Sequence, residues 1–120
     1  MLIKYRKAYE KIAMGMLSFM PRKRELKVLQ ATIQTYENYP NWQLYLWKEE
    51  EDFVGLIGIE IQEDSFIVLH ATVNPSHRNQ GIGHVMVEKV QQLMKPRKMC
   101  ATEETEVFLT KCSKTREEVF

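Results

Sequence analysis

The chain has 120 residues, which is room for one domain, and we predict a single unit over residues 1–120. Hydrophobic residues make up 44% and charged residues 28%, which is ordinary globular usage and excludes a disordered chain. The formal net charge of +1 argues against nucleic acid or a membrane surface as the partner, since both usually select a basic excess.

The first third of the chain predicts a short strand followed by two helices. Residues 1–4 suit a strand. From Tyr5 to Met20 the apolar residues recur every three or four positions, which predicts one amphipathic helix, and Pro21 either ends that helix or opens the next one. A second helix is predicted from Arg24 to Asn38, with a turn after it.

The middle of the chain predicts three consecutive strands. Trp42–Trp47 alternates in polarity, and Phe53–Ile61 is apolar on both faces, which is typical of a central strand. Phe66–Val73 follows after a short turn. The short connections predict an antiparallel meander.

The last part predicts a helix from Ile82 to just before Pro96, a short strand at Lys98–Thr102 and a final helix at Glu103–Lys111. A polar, flexible tail is expected at residues 114–120. The predicted order is β-α-α-β-β-β-α-β-α. The fold class is therefore α/β (α+β), with one mixed sheet and helices on both faces.

The turn between the third strand of the meander and the next helix predicts an anion site. Gly81 and Gly83 allow close approach of the backbone, and the first amides of a helix point outward with partial positive charge. These features suit a diphosphate, with Arg78 either pairing with a phosphate or holding the loop in shape. The simpler alternative is that the glycines only make a tight connection.

Asn74 and Pro75 end the third strand of the meander, because proline cannot donate to a ladder. The strand then separates from its later neighbour and leaves backbone groups of residues 71–73 open. An extended ligand with amides, such as pantetheine, can add to that edge like another strand.

The pattern V-x-P-x-x-R-x-x-G-x-G at residues 73–83 resembles the acetyl-CoA motif of the GNAT family of N-acetyltransferases. Within the family, residues 1–5, 11–15 and 18–21 are similar to the RibT-type acetyltransferase-like proteins of bacterial riboflavin operons. The resemblance implies acetyl-CoA as cofactor and the Val73 amide as the oxyanion contact. It implies cofactor binding by Ala71, Thr72, Val73, Arg78, Asn79, Gln80, Gly81, Ile82, Gly83 and His84.

The chain also departs from that family pattern. Where relatives often carry an Asn and a proton-donating Tyr in the last helix, this chain has Thr102 and Leu109 by position. The further strand pair that usually ends the family fold is not expected here. The acceptor side is therefore predicted to be open, or completed by a second copy in a homodimer.

No single residue stands out as the catalytic base. His70 and Glu60 are candidates, and strand alternation places His70 with Phe66, Val68 and Thr72. His77 and His84 flank the loop, and Cys112 is expected to be a structural thiol. Aromatic residues around the second strand are expected to pack in the core, with a planar acceptor stacking there as the alternative: Tyr39, Trp42, Tyr45 and Trp47.

These features predict an enzyme that moves acetyl from acetyl-CoA to an amine of a small molecule or protein, linked to riboflavin metabolism. The alternative is a non-catalytic module that binds CoA or a metabolite and regulates or scaffolds a pathway. Two cysteines without metal-ligand spacing, no secretory signal and no long apolar run predict a cytoplasmic protein without a metal or a membrane span.

Overall fold

The computed structural model describes residues 1–20 and 25–117, with side chains through Lys111. One mixed sheet of five strands follows chain order, with β4 and β5 parallel and every other pair antiparallel. The mixed sheet predicted from the sequence is confirmed. The strands are β1 (Leu2–Lys4), β2 (Trp42–Glu49), β3 (Asp52–Ile61), β4 (Ser65–Val73) and β5 (Lys98–Ala101).

The helices match the predicted order, with differences at their ends. The first predicted helix is shorter, because Arg6 is extended and a 3-10 turn at Lys7–Tyr9 precedes α1. The predicted boundaries at Pro21 and Arg24 lie outside the described residues. The tail expected at 114–120 stays untested, since α4 runs to Glu117 and residues 118–120 are not described. The helices are α1 (Glu10–Leu17), α2 (Leu26–Asn38), α3 (Ile82–Met94) and α4 (Glu103–Glu117).

The two faces of the sheet carry separate cores. On one face α1 and α2 pack on alternate residues of β2 and β3, as Leu17 and Ile33 do against Leu46. On the other face α3 supplies Met86 and Val90, and α4 adds its buried residue Leu109. The strand β3 is buried on both sides, as its apolar run predicts. Among the helices of the described residues, none combines the length and apolar character that a membrane crossing requires.

A β-bulge in β4 corrects the strand alternation predicted from the sequence. Gly58 pairs with His70 but Ile59 pairs with Val68, so Leu69 is an extra residue. Phe66 and Val68 therefore face α3, whereas His70 faces α2. Grouping His70 with Phe66 and Val68 was wrong, because one inserted residue moves every later side chain to the opposite face. His70 still shares its face with Thr72.

Candidate functional site

The second half of β4 has an open edge. Pairing with β5 ends at Val68, whose carbonyl accepts a hydrogen bond of 2.8 Å from the Thr105 hydroxyl at the start of α4. Farther on, the Asn74 amide donates to the Val54 carbonyl of β3 at 2.8 Å. Since backbone groups alternate along a strand, those of Ala71 and Val73 point away from β3, into the gap. The opening predicted beside residues 71–73 is present.

Arg78 closes part of that gap. Its Nε donates to the Val73 carbonyl at 3.1 Å, so the guanidinium ties the loop to the end of β4. The sequence left two roles for Arg78, and the structure shows the one that holds the loop in shape. The Val73 amide still faces the gap, on the side where β4 and β5 separate.

The loop leads into α3 through a short, tightly turned segment. The Asn74 side chain accepts from the Ser76 amide at 3.0 Å, which fixes a 3-10 turn over Pro75–His77. Asn79 and Gly81 both have positive φ, 68° and 77°. Asparagine tolerates this region of backbone space, and glycine adopts it without strain.

The first turn of α3 presents its amides to this loop. The first bond of the helix runs from the Val85 amide to the Gly81 carbonyl at 3.1 Å. The amides of Ile82 and Gly83 come before it and have no carbonyl within the helix to bind. Together with the helix dipole they form an electropositive concavity that suits a diphosphate.

The two glycines of the loop serve different ends. A side chain at Gly81 would meet no atom within 4 Å, so its importance lies in its positive φ and its openness. A Cβ at Gly83 would lie 2.9 Å from the ring of Phe108. Gly83 thus also lets α4 pack closely against α3.

These elements enclose a cleft of about 600 Å³, which is within the usual range for ligand sites. Of the ten cofactor-binding residues predicted from the sequence, only Gln80 is not among the residues that line it. Among the described residues its polar lining is mainly basic, with Arg78, Lys111, His77 and His84 against one acid, Glu104. The imidazole of His84 lies 3.5 Å from the carboxylate of Glu88 one turn later.

The α2 side of the sheet carries a second cavity of about 630 Å³, which we call the acceptor-side groove. His70 lines it and is buried, and its Nδ1 lies 2.5 Å from the hydroxyl of Tyr36 on α2. Gly58 makes this pair fit, because a Cβ there would overlap the Tyr36 hydroxyl and ring. Burial raises the pKa of Tyr36 well above its ordinary value, so the phenol keeps its proton.

Other sequence candidates lie elsewhere. Glu60, near the end of β3, lines neither the cleft nor the groove. Leu109 is buried in the core, and α4 lines the cleft with Val107 and Phe108, which carry no exchangeable proton, and with Glu104 and Lys111. Thr102 lines the groove and bonds Thr105. The Cys112 side chain lies outside the described residues.

Sequence reasoning missed three features of the site. It did not pair Tyr36 with His70, did not place Phe108 against Gly83 and did not bring Glu103 to the groove. Each is a contact between distant elements. Helical spacing alone gave no signal for any of them.

Comparison with known proteins identifies the family. The sequence profile of the Acetyltransferase (GNAT) family matches residues 10–111. An "Uncharacterized N-acetyltransferase in lysA 3'region" from Bacillus methanolicus is 50% identical over 113 residues, which cover 93% of this chain and 94% of the relative. The chain therefore belongs to the GNAT family of acetyltransferases.

Solved structures of low identity share the fold. AAC(6')-Iy, in complex with a bisubstrate analogue built on CoA, matches with a TM-score of 0.77 at 12% identity, covering 97% of this chain and 87% of that one. The apo aminoglycoside 6'-N-acetyltransferase AAC(6')-IG from Acinetobacter haemolyticus matches with a TM-score of 0.75 at 12% identity, covering 96% and 88%. The predicted GNAT-like fold is confirmed.

Proposed function

We propose that this chain is an N-acetyltransferase that uses acetyl-CoA to acetylate an amine of a small molecule or protein. The observation that carries the proposal is the opening between β4 and β5 beside the first turn of α3. One continuous cleft there offers strand-edge backbone groups, helix amides and basic side chains. Pantetheine, a diphosphate and a nucleotide need those three kinds of contact in that order. Family membership and the CoA analogue bound by AAC(6')-Iy support the same assignment.

In this proposal each part of the cofactor has its own set of residues. Backbone groups of Ala71 and Val73 hold the pantetheine arm, and amides of the segment 79–84 hold the diphosphate. Arg78 keeps the loop in place through its bond to the Val73 carbonyl.

The reaction is direct attack of the amine on the thioester. The amine nitrogen bonds to the carbonyl carbon and the carbon–sulfur bond breaks. The ammonium loses two protons, one to the departing thiolate and one to solvent. The Val73 amide faces the position of the carbonyl oxygen, where one donor of this kind is typically worth about 3–4 kcal/mol as negative charge develops.

A binding module without catalysis is the second candidate. It is favoured by Leu109, which stands at the position where relatives often carry a proton-donating Tyr, is buried in the core and has no proton to give. Such a module would bind CoA and regulate or scaffold a pathway.

Calorimetric titration of the full chain with acetyl-CoA, followed by a thiol-release assay with a panel of amines, tests the proposal. Binding with amine-dependent thiol release supports the enzyme. Binding without release on any amine supports the module, and absence of binding overturns both. Pantetheine, which lacks the diphosphate, should bind more weakly than CoA.

Three finer statements remain predictions. The link to riboflavin metabolism rests on the likeness of residues 1–21, and Trp42 in the groove wall gives a planar acceptor a surface to stack on. The cytoplasmic location and the homodimer rest on the sequence. Thiol release with heteroaromatic amines tests the link to riboflavin metabolism. Cell fractionation tests the cytoplasmic location, and analytical sedimentation tests the homodimer.

A further inference from the structure

The acceptor-side groove lies between α2 and the start of α4, on the α2 side of the sheet. One wall comes from α2 and the bulge and is mainly apolar, since the hydroxyls of Thr32 and Thr35 are bonded to carbonyls of their own helix. The other residues of this wall are Val28, Ala31 and Leu69, and the half-buried Trp42 adds a flat aromatic surface. The other wall is the first turn of α4. The volume of the groove suits a small organic molecule rather than a folded protein surface.

The groove and the cleft meet at one residue. Glu104 lines both cavities, at the point where β5 has left β4 and Thr105 caps the Val68 carbonyl. A molecule in the groove therefore lies next to the end of the cleft that Glu104 lines.

The two cavities differ in charge. Lys and Arg are absent from the described residues that line the groove, whereas the cleft has Arg78 and Lys111. The groove has two carboxylates, Glu103 and Glu104, which the dipole of α4 favours at its first turn. A cation is attracted to this wall, and a ligand with its own carboxylate or phosphate is repelled.

The inner wall of the groove is a built polar site. His70 is only 6% exposed, and its ring is held by the Tyr36 hydroxyl at 2.5 Å and by an edge-on ring contact with a centroid distance of 5.6 Å. A Cβ at Gly58 would overlap Tyr36, so the lack of a side chain at Gly58 leaves room for the tyrosine ring. The His70 imidazole is thereby fixed in the inner wall of the groove.

We propose that the acceptor is a small primary amine that binds the groove as an ammonium ion, with an apolar or aromatic body and without an acidic group beside the amine. The carboxylates of Glu103 and Glu104 attract the ammonium, and the wall of α2 and Trp42 takes the body. This inference rests on the proposed acetyl transfer and narrows its substrate class.

Three amines that share one body test it with the full chain and acetyl-CoA: 2-phenylethylamine, phenylalanine amide and phenylalanine. The expected order of kcat/KM places the first two at least about tenfold above phenylalanine, whose carboxylate faces the acidic wall. Equal kcat/KM for phenylalanine and 2-phenylethylamine would overturn the inference.

The Glu103→Gln/Glu104→Gln double variant should raise KM for 2-phenylethylamine about fivefold, as the loss of two exposed charge pairs predicts. It should also remove most of the dependence of that KM on salt. Glu106→Gln is the matched control, since Glu106 lies in the same helical turn but lines neither cavity. An unchanged KM in the double variant contradicts the assignment.

Failure of the inference can be told from failure of the proposed function. Acetyl-CoA binding is measured first in both variants, and 2-phenylethylamine is then titrated into the acetyl-CoA complex. Acetyl-CoA binding together with amine binding that the double variant weakens supports the groove even when no product forms. Acetyl-CoA binding with no amine binding overturns the groove and leaves the cofactor site standing.

Discussion

The cleft and the acceptor-side groove have similar volumes, about 600 and 630 Å³, and they share Glu104, yet they are built from different material. The cleft is made largely of backbone groups at a strand edge and a helix start, with a basic rim. The groove is made of side chains from α2, β4 and α4, with an acidic rim. A site built from backbone depends on local conformation, and a site built from side chains depends on contacts between distant elements. Substitutions that affect one cavity and leave the other intact distinguish these two kinds of site.

Gly81→Asp should have the largest effect, and on the cleft alone. At φ 77° a non-glycine residue is strained, and a carboxylate in the open space there would face the diphosphate. We expect acetyl-CoA affinity to fall about 30- to 100-fold, equivalent to about 2–3 kcal/mol. Calorimetry of acetyl-CoA binding is the measurement. Gly81→Ala introduces the backbone strain without the charge, so it should lose less acetyl-CoA affinity than Gly81→Asp. Equal affinity in wild type and Gly81→Asp would remove the diphosphate assignment.

Gly58→Ala should act on the groove. The added methyl overlaps the Tyr36 ring, so the ring must move and its bond to His70 must break. Overpacking of this kind costs about 2 kcal/mol in the free energy of unfolding, measured by urea denaturation. The KM for the amine should rise while acetyl-CoA affinity holds. Gly15→Ala, in open space within α1, is the control and should not destabilise; a Gly58→Ala protein as stable as wild type would contradict the packing described.

Tyr36→Phe should be milder at neutral pH, with a loss of about 1 kcal/mol from one buried hydrogen bond. At high pH the stability difference between the variant and the wild type should change sign. Burial raises the pKa of Tyr36 in the folded state, so from about pH 10 upward the unfolded chain loses this proton first and wild-type stability falls. Phenylalanine has no proton to lose, so the variant should lose stability less steeply above pH 10. Urea denaturation at pH 7, 9 and 11 checks both arms, and parallel curves would show that Tyr36 ionises equally in both states.

Arg78→Lys should have the smallest effect. Lysine lacks the Nε that donates to the Val73 carbonyl at 3.1 Å, so the loop loses its tie to β4. We expect acetyl-CoA affinity to fall about threefold to tenfold, with the amine KM unchanged. The control is Arg97→Lys, which removes a similar bond, from Nε to the Gln62 carbonyl at 2.7 Å, far from both cavities. Equal losses in the two variants would indicate a general effect of arginine removal.

Much of the fold follows from the sequence because its elements have clean periodicity. Apolar residues on both faces of Phe53–Ile61 predicted the doubly buried β3, and Ile82 with its helical stripe predicted α3. The start of α1 was missed because a 3-10 turn has helical spacing over its few residues. Boundaries of this kind depend on which backbone bonds form, and spacing does not record that.

The loop of the cleft was predictable for the same reason, since glycine at a fixed position indicates where φ is positive. The opening of β4 from β5 was predicted beside the correct residues for the wrong reason, because pairing with β5 ends at Val68, well before Pro75. The groove was not predictable. No local sequence pattern predicts that β4 contains an extra residue at Leu69 or that Tyr36 forms a hydrogen bond with His70. The orientation of α4 was not predictable either. Leu109 is buried in the core and Phe108 lines the cleft, because packing sets how the helix is rotated about its axis.

The bulge at Leu69 has a consequence for how this chain tolerates length changes. In the proposed reaction this strand serves acetyl-CoA with the main chain of Ala71 and Val73, and it lines the groove with the side chain of His70. Deleting Leu69, the surplus residue, would join Val68 to His70 in regular pleating and leave His70 toward α2 and Ala71 toward α3, so this deletion should keep both cavities in register. Deleting Thr72, where the pairing is regular, would instead turn Val73 toward the α2 side and disturb the cleft.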